Sequence, residues 1–506
     1  MPKYNIIAQA SFGSVVSTKA KLELVPDFDL VIKVIKDKPT FVPFGIPAFD
    51  GTNERGFIEF EVEVLKHGID SFEIEVLCGN NVIYTGYSDK MQLSTVTVTA
   101  AAPRRLSGTT STPPSEAVTN YPVGKYISFW DGFDQQDVYD SAIFIKETFK
   151  IRVKGKLEGK EKIAETQPFK FQYDEVRWVD TKIDRGAKKI DVTLRLNLLD
   201  GKEYGIECVT YKPVAMPVGP SMSFPDQTVC PWDKIPKLAV TTISQAPLQI
   251  RTKSFNDLKQ LVFDGFKRHW GRNCTIPNIS GFSPSGTRTV GTGINIGSET
   301  YEVFVDAVNN TNSSITMNDI PLAYNTNGSP MRSGNTGGSY DDKSNADWVM
   351  EKLPNGWIQR IAYNVGYLYH SDWKDWNVHS DVYKTKGWGY KTDADAAKSF
   401  SRTAAHEIGH EILQAYAGTT YSWQHKGSSY FFPQNTKPTA RPSAGYYSDF
   451  MRDVQGEDLP MTSLEEIDLM KYYNTPLGGV SDYYDRSVSD EIDVLSFIWL
   501  AKLAIL

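Results

Sequence analysis

The sequence predicts a multidomain chain in which two antiparallel β-sandwich-like domains precede an α+β domain that carries most of the chemistry. Three observations lead there. With 506 residues the chain is too long for one core and fits about two to four domains. Its first half alternates apolar and polar residues with period two, whereas from about Leu248 the apolar residues take helical spacing. Between the two β-rich blocks lies "AAPRRLSGTTSTPPSEAV", which has the Pro, Ser, Thr and Gly content of a linker. The expected division is a sandwich at 1–100, a linker at 101–118, a second β-rich domain at 119–247 and the α+β domain at 248–506.

In "FIEFEVEVL", Ile58, Phe60, Val62 and Val64 point one way while Glu59, Glu61 and Glu63 point the other. After the "KHGID" turn, Phe72, Ile74 and Val76 repeat the pattern, as a sheet packed on one face requires. "QLSTVTVTA" reads as a β-branched strand that ends a small sandwich near Ala100. The second block offers "FIKETFKIRVKG", "FKFQY", "VRWVD" and "KIDVTLRLNLLDG" as strands, then a proline-rich stretch. Further on, Leu258, Leu261, Val262 and Phe266 mark a helix capped by Ser254 or Asn256, and "YEVFVDAV" marks a strand. A longer helix starts after Thr392, which with Asp395 makes an N-terminal cap, and Gly418 can end it. The C-terminal "VLSFIWLAKLAIL" is too short to span a bilayer and contains Lys502, so it reads as a buried helix closing a domain.

The formal charge of -7, with no run of basic residues, argues against a nucleic-acid partner. Cys78, Cys208, Cys230 and Cys274 form no C-x-x-C pair and read as buried thiols, with Cys208–Cys230 as the pair that could bridge. The N-terminus lacks the apolar core of a signal peptide, and no segment reads as a membrane span.

The chemistry concentrates in "AAHEIGHEILQAY". Residues four apart share a helix face, so His406 and His410 can present both imidazoles to one ion, with Glu407 beside them as general base. Phe400, Ala404, Ile408 and Ile412 form an apolar stripe for docking the helix, and Gly409 leaves space next to a metal. The metzincin extension is excluded, because Leu413 and Tyr416 stand at its Gly and third His positions. For the third ligand the residues leave His425 and Glu466 open; Glu465 and Asp468 are further acids nearby. Ser463 to Glu466 is also a capping-box pattern. His425, Tyr472 and Tyr473 are candidates for oxyanion or substrate contacts. His370 and His379 read as packing among tryptophans, His67 and His269 have no evident partners, and "GTGINIG" lacks the context of a phosphate loop.

"HEIGHEILQAYAGTTYSWQHKG", followed by "EIDLMKYY" and a C-terminal apolar helix, resembles the zincin-type metallopeptidase domain at the C-terminus of certain VgrG spike proteins of type VI secretion systems. "FDGFKRHWGRN" and "YNTNGSPMRSGNTGG" contribute, and the likeness covers roughly residues 251–506. It implies a zincin-like fold and one Zn2+ held by His406, His410 and Glu466, as in gluzincins. The implied activity is hydrolysis of peptide bonds in a peptide or envelope-protein substrate. The first 250 residues resemble no spike protein, so the chain reads as a free-standing antibacterial effector. Such an effector would be made in the cytoplasm, exported by contact-dependent secretion and active in the target cell, its periplasm included. A spike or adaptor protein and an immunity protein are the candidate partners. Two other readings compete: a peptidoglycan amidase or endopeptidase, and a non-catalytic protein with a closed structural zinc site that uses His425 beside Glu466.

Overall fold

The computed structural model of the chain describes residues 4–5, 21–22, 25–36, 40–87, 92–93, 121–212, 225–273, 291–334, 360–370, 387–423, 467–470 and 483–506. It is built mostly from β-sheets, with few helices. Two four-stranded antiparallel sheets form an N-terminal sandwich. One runs Asp29–Val34, Ile58–Leu65, Gly124–Trp130, Gln92–Leu93; the other runs Lys160–Glu165, Phe149–Leu157, Ser71–Cys78, Asn81–Tyr87. The alternation in Ile58–Leu65 acts as predicted: Ile58, Phe60, Val62 and Val64 are buried, while Glu61 meets Lys33 and Lys125 of the flanking strands. The two sheets touch through Phe72 and Tyr126, with ring centroids 5.7 Å apart. They close tightly over Gly155, where a Cβ would lie 2.8 Å from the Leu30 side chain.

Strand pairing therefore crosses the boundaries expected at 100 and 118. Ser71–Cys78 pairs with Phe149–Leu157, and Ile58–Leu65 pairs with Gly124–Trp130. Composition marks irregular chain, but register and complementary faces choose a strand's partner at any separation. The sandwich expected to end near Ala100 is thus completed by later strands. "FIKETFKIRVKG", expected as one strand, is divided. Ser141–Lys146 is helical because Asp140 accepts the amide of Ala142 at 3.0 Å as its cap, and the strand begins only at Phe149.

The 16-residue strand Lys189–Tyr204 organises the remainder. Its first half pairs antiparallel with Val179–Asp184 and parallel with Glu299–Asn309. Its second half pairs parallel with Asp319–Asn325, which pairs parallel with Ile361–Asn364. The amide of Arg195 donates to Trp178 while its carbonyl accepts from Met317. Both groups of a strand residue point to the same side, so Asp319–Asn325 takes the side on which Val179–Asp184 has ended. The boundary expected at 247 is crossed as well, since Lys189–Tyr204 belongs to one sheet with strands beyond residue 290. Two helices, Phe255–His269 and Asp393–Trp423, pack against this sheet and against each other. "GTGINIG" supplies the short strand Ile294–Ile296 and a turn through Gly297, in keeping with the rejection of a phosphate loop.

The apolar C-terminal stretch, expected as one helix, is the helix Glu491–Leu500 followed by the strand Leu503–Ile505. That strand lies between Phe171–Tyr173 and Thr40–Phe41. Lys502 accounts for the break. Its buried ammonium meets Glu175 at 2.8 Å and both Glu54 and Asp174 at 3.3 Å, which holds three distant parts of the chain together. Among the described residues no helix is long and apolar enough to cross a membrane.

The reading of the cysteines as buried thiols is corrected at two positions. Cys208 and Cys230 form a disulfide that closes the exposed strand pair Val209–Tyr211 and Gln227–Val229. Cys78 is a half-buried free thiol, pushed up by burial and by the nearby Glu147 charge; Cys274 lies outside the described residues.

Lys502→Ala removes the cation from among its three carboxylates. Side chains of Asp174 and Glu175 keep 34% and 31% of their exposure, so the expected loss is roughly 2–3 kcal/mol, below that of a fully buried pair. Urea denaturation measures it, and an unchanged midpoint would show that the cluster contributes nothing.

Candidate functional site

The helix Asp393–Trp423 carries the motif, and its start is fixed as the sequence predicts. Thr392 Oγ1 accepts the amide of Asp395 at 3.2 Å and donates to its carboxylate at 2.6 Å. Asp393 accepts from Tyr363 Oη at 2.6 Å and from Thr252 Oγ1 at 2.9 Å, which ties the first turn to the sheet. Two acids in that turn also suit the positive end of the helix dipole. The stripe Phe400, Ala404, Ile408 and Ile412 is buried throughout. Gly418, expected to end the helix, leaves the helical conformation at φ 84° and kinks it, and a helical stretch resumes up to Trp423.

Two close approaches set the rotation of this helix. A Cβ at Gly265 would stand 2.4 Å from the carbonyl of Ser401, so the neighbouring helix can touch here only through glycine. One turn further on, the buried indole of Trp270 donates to the carbonyl of Ala405 at 3.0 Å. Gly409 is expected to leave space next to a metal; the structure fills that space instead. A Cβ there would lie 2.8 Å from both Met470 Sδ and the Trp270 ring. The glycine serves packing, because a helix facing an indole and a thioether at this distance has no room for a side chain.

Their four-residue spacing puts His406 and His410 together, and this rotation turns the pair inward. Both are buried, their rings meet edge to face at 85°, and the centroids are 4.9 Å apart. His406 Nδ1 lies 2.7 Å from the carbonyl of Leu469. A carbonyl can only accept, so Nδ1 holds the proton and Nε2 keeps its lone pair in the neutral ring. The carbonyl is itself held, because Leu469 donates its amide to Val488 and the residues before it pair with Ser487–Val488. Arg402, one turn before His406, reaches the same carbonyl at 3.5 Å and Ser487 Oγ at 3.4 Å.

Glu407 lies beside the pair, half-buried. Burial pushes its carboxyl up to about 7, against the opposing charges of Arg332 and Arg402. Glu411 stands on the same face four residues on and is buried; burial lifts it to about 7 as well, opposed by the amide of Asn318, which donates to Oε1 at 3.2 Å. Glu411 Oε2 has no hydrogen-bond partner among the described residues. Neither Glu411 nor Arg332 was singled out by the sequence. The four-residue spacing from Glu407 is a signal for the first, while nothing local marks the second.

Glu466, His425, Tyr472, Tyr473 and His379 lie outside the described residues, as does the side chain of His370. Within those residues no group of three or more His, Cys, Asp and Glu side chains is placed to hold a metal ion. Tyr416, at the metzincin histidine position, is buried between Phe49 and Trp499, with centroids at 5.7 and 5.5 Å. His269 and His67, read as lacking partners, both have one. His269 is buried with Nδ1 on the carbonyl of Ser487 at 2.6 Å, and His67 Nδ1 meets the carbonyl of Gly68 at 2.8 Å. No family model matches the chain, and no curated protein matches it.

Gly409→Ala inserts a methyl against a ring and a sulfur that are both enclosed. The expected cost is about 1–3 kcal/mol, read as a lower melting temperature. A melting temperature equal to the parent's would mean that the helix can move away. His269 supplies a pH test. Burial holds it down to about 3, further lowered by nearby Arg268 and Arg402, with the Ser487 hydrogen bond opposing. The unfolded chain therefore takes up a proton that the folded chain refuses. Stability from this group is present above its ordinary value of 6.5 and is lost as pH falls toward 3, at up to about 1.4 kcal/mol per unit. Denaturation of His269→Gln between pH 7 and 4 should show a flatter slope than the parent; parallel slopes would remove His269 as the cause.

Proposed function

We propose that the chain is a zinc-dependent metallopeptidase whose C-terminal α+β part is zincin-like and whose ligands are His406, His410 and Glu466. The observation that carries this reading is the histidine pair with its fixed tautomer. Two buried imidazoles sit edge to face on one helix, and one is oriented by a main-chain carbonyl through the nitrogen that does not bind metal. Such an outer hydrogen bond is the usual partner of a metal-binding histidine. The donor set fits zinc, and the described chain next to Glu466 reaches the site, since Leu469 follows it by three residues in the sequence. When bound, zinc would lower the pKa of a coordinated water toward neutrality and polarise the substrate carbonyl.

The chain's own residues then have defined tasks. Glu407, raised toward neutrality, accepts the proton of the attacking water and passes it to the leaving nitrogen. His406 keeps its orientation through Leu469, whose carbonyl is held by the pairing of Ile467–Asp468 with Ser487–Val488. Trp270 and Met470 close the side of the helix at Gly409 and exclude water there. His425, Tyr472 and Tyr473 remain the proposed oxyanion or substrate contacts. Delivery by a type VI spike or adaptor, with an immunity protein in the producer, belongs to the same proposal. The disulfide Cys208–Cys230 favours action in an oxidising compartment such as the periplasm of the target cell.

Glu407→Gln should retain about one zinc per chain and lose hydrolysis by about 10²–10⁴-fold, measured by elemental analysis and by mass spectrometry of a peptide mixture. His410→Ala and Glu466→Ala should lose the metal, while His425→Ala keeps it. Full activity in Glu407→Gln would sink the role of that residue. A parent protein that stays free of zinc after reconstitution would sink the whole reading.

A further inference from the structure

After the central strand Lys189–Tyr204 the chain leaves the body at Gly205 and returns at Leu248. One buried side chain holds both feet of this excursion. Asn327 donates through Nδ2 to the carbonyl of Gly205 at 2.9 Å and to that of Leu248. Gly205 has no room for a side chain, because a Cβ would run into the carbonyl of Thr326. Arg251, just past the return, pairs with Asp200 at 3.1 Å and Glu203 at 3.4 Å, just before the departure. The feet are thus fastened to the body by groups outside the excursion.

The arm between the feet has little of its own to hold it. Among its described residues, 206–212 and 225–247, Ile235 is the one buried side chain. Every residue of the strand pair Val209–Tyr211 and Gln227–Val229 is exposed. Its side-chain hydrogen bonds, Thr210 with Thr228 and Tyr211 with Gln227, are both 2.9 Å long and exposed, where water competes for them. The helix Lys237–Ile243 buries no residue, and the hydroxyls of Thr241 and Thr242 turn back onto its own carbonyls at Lys237 and Leu238. A helix of two turns with no buried face does not persist by itself. Burial this small cannot offset the entropy of ordering the arm. What remains is the bond Cys208–Cys230, which spans 22 residues and restricts the opened chain. Cys208 is exposed and Cys230 half-buried, so a thiolate can reach the bond.

We propose that Cys208–Cys230 is a redox switch: the arm is folded while the bond is closed, and it comes apart locally when a cellular dithiol opens the bond, with the body intact. One thiolate of the dithiol attacks a cysteine sulfur and releases the other cysteine; its second thiolate then displaces the first. The dithiol gives up two electrons and two protons to become a disulfide, and Cys208 and Cys230 take them up as two thiols. The arm is placed to be felt at the site helix. Its helix Lys237–Ile243 packs on the strand Gly387–Lys391, which runs directly into the Thr392 cap. Tyr367, on the strand paired with it, donates to the carbonyl of Gln245 at 2.9 Å. This inference stands independently of the proposed hydrolase reading, because its readout is structural.

Amide hydrogen exchange read by mass spectrometry on the full chain tests it. The oxidised protein is compared with protein reduced by a small dithiol and alkylated at Cys208 and Cys230, and with the double variant Cys208→Ser with Cys230→Ser. Melting temperatures are measured alongside. Both open forms should exchange at least about tenfold faster at 206–211 and 227–243, and faster at Gly387–Lys391. Exchange in Lys189–Tyr204 and the melting temperature should match those of the oxidised protein. Equal exchange in the arm overturns the proposal. Faster exchange across Lys189–Tyr204, or a lower melting temperature, overturns it as well, since the bond would then staple the whole chain. A rise that stops short of Gly387–Lys391 overturns the link to the site helix. The reduced protein starts from the folded state, so it decides the matter even if the double variant does not fold.

Discussion

The site depends on how closely one helix is allowed to approach its neighbours. At Gly265 the neighbouring helix touches the carbonyl of Ser401, and at Gly409 the motif helix touches Trp270 and Met470. Neither contact tolerates a Cβ, so each glycine is required for reasons of space. With these two points fixed, the indole of Trp270 reaches Ala405, and the rotation that results turns His406 onto Leu469. The tautomer of His406 follows from that rotation, while the nearness of His410 follows from its four-residue spacing on the same helix.

Local features of this arrangement are legible in the sequence. The cap of Thr392 with Asp395, the cap at Ser254 (one of the two residues expected there), the buried stripe from Phe400 to Ile412 and the period-two strand Ile58–Leu65 depend only on near neighbours. Features that depend on distant chain are not legible. Nothing near Ser71–Cys78 announces pairing with Phe149–Leu157, and nothing near Lys502 announces Glu54. The short helix Ser141–Lys146 was hidden for a different reason: its apolar residues suit a strand, and one cap hydrogen bond from Asp140 outweighs them. For Gly409 the sequence shows the glycine but not what faces it.

Buried charge is handled in two opposite ways. Lys502 is enclosed with three carboxylates around it, which is how a structural charge is retained in an interior. Glu407 and Glu411 have no salt-bridge partner among the described residues, and burial lifts each to about 7. An acid poised near neutrality adds little to stability, but it can exchange protons at physiological pH. The contrast separates a charge held in place by its partners from two acids held near neutrality by burial.

The positions of the late segments also set the order of events during synthesis. His406 receives its carbonyl partner from a residue 63 positions further along the chain. Thr40–Phe41 and Phe171–Tyr173 wait for Leu503–Ile505 before they share a sheet. A ribosome delivers these segments after everything they complete. His406 is therefore oriented only once the segment through Leu469 has been made, so the histidine pair cannot be finished as its own helix forms.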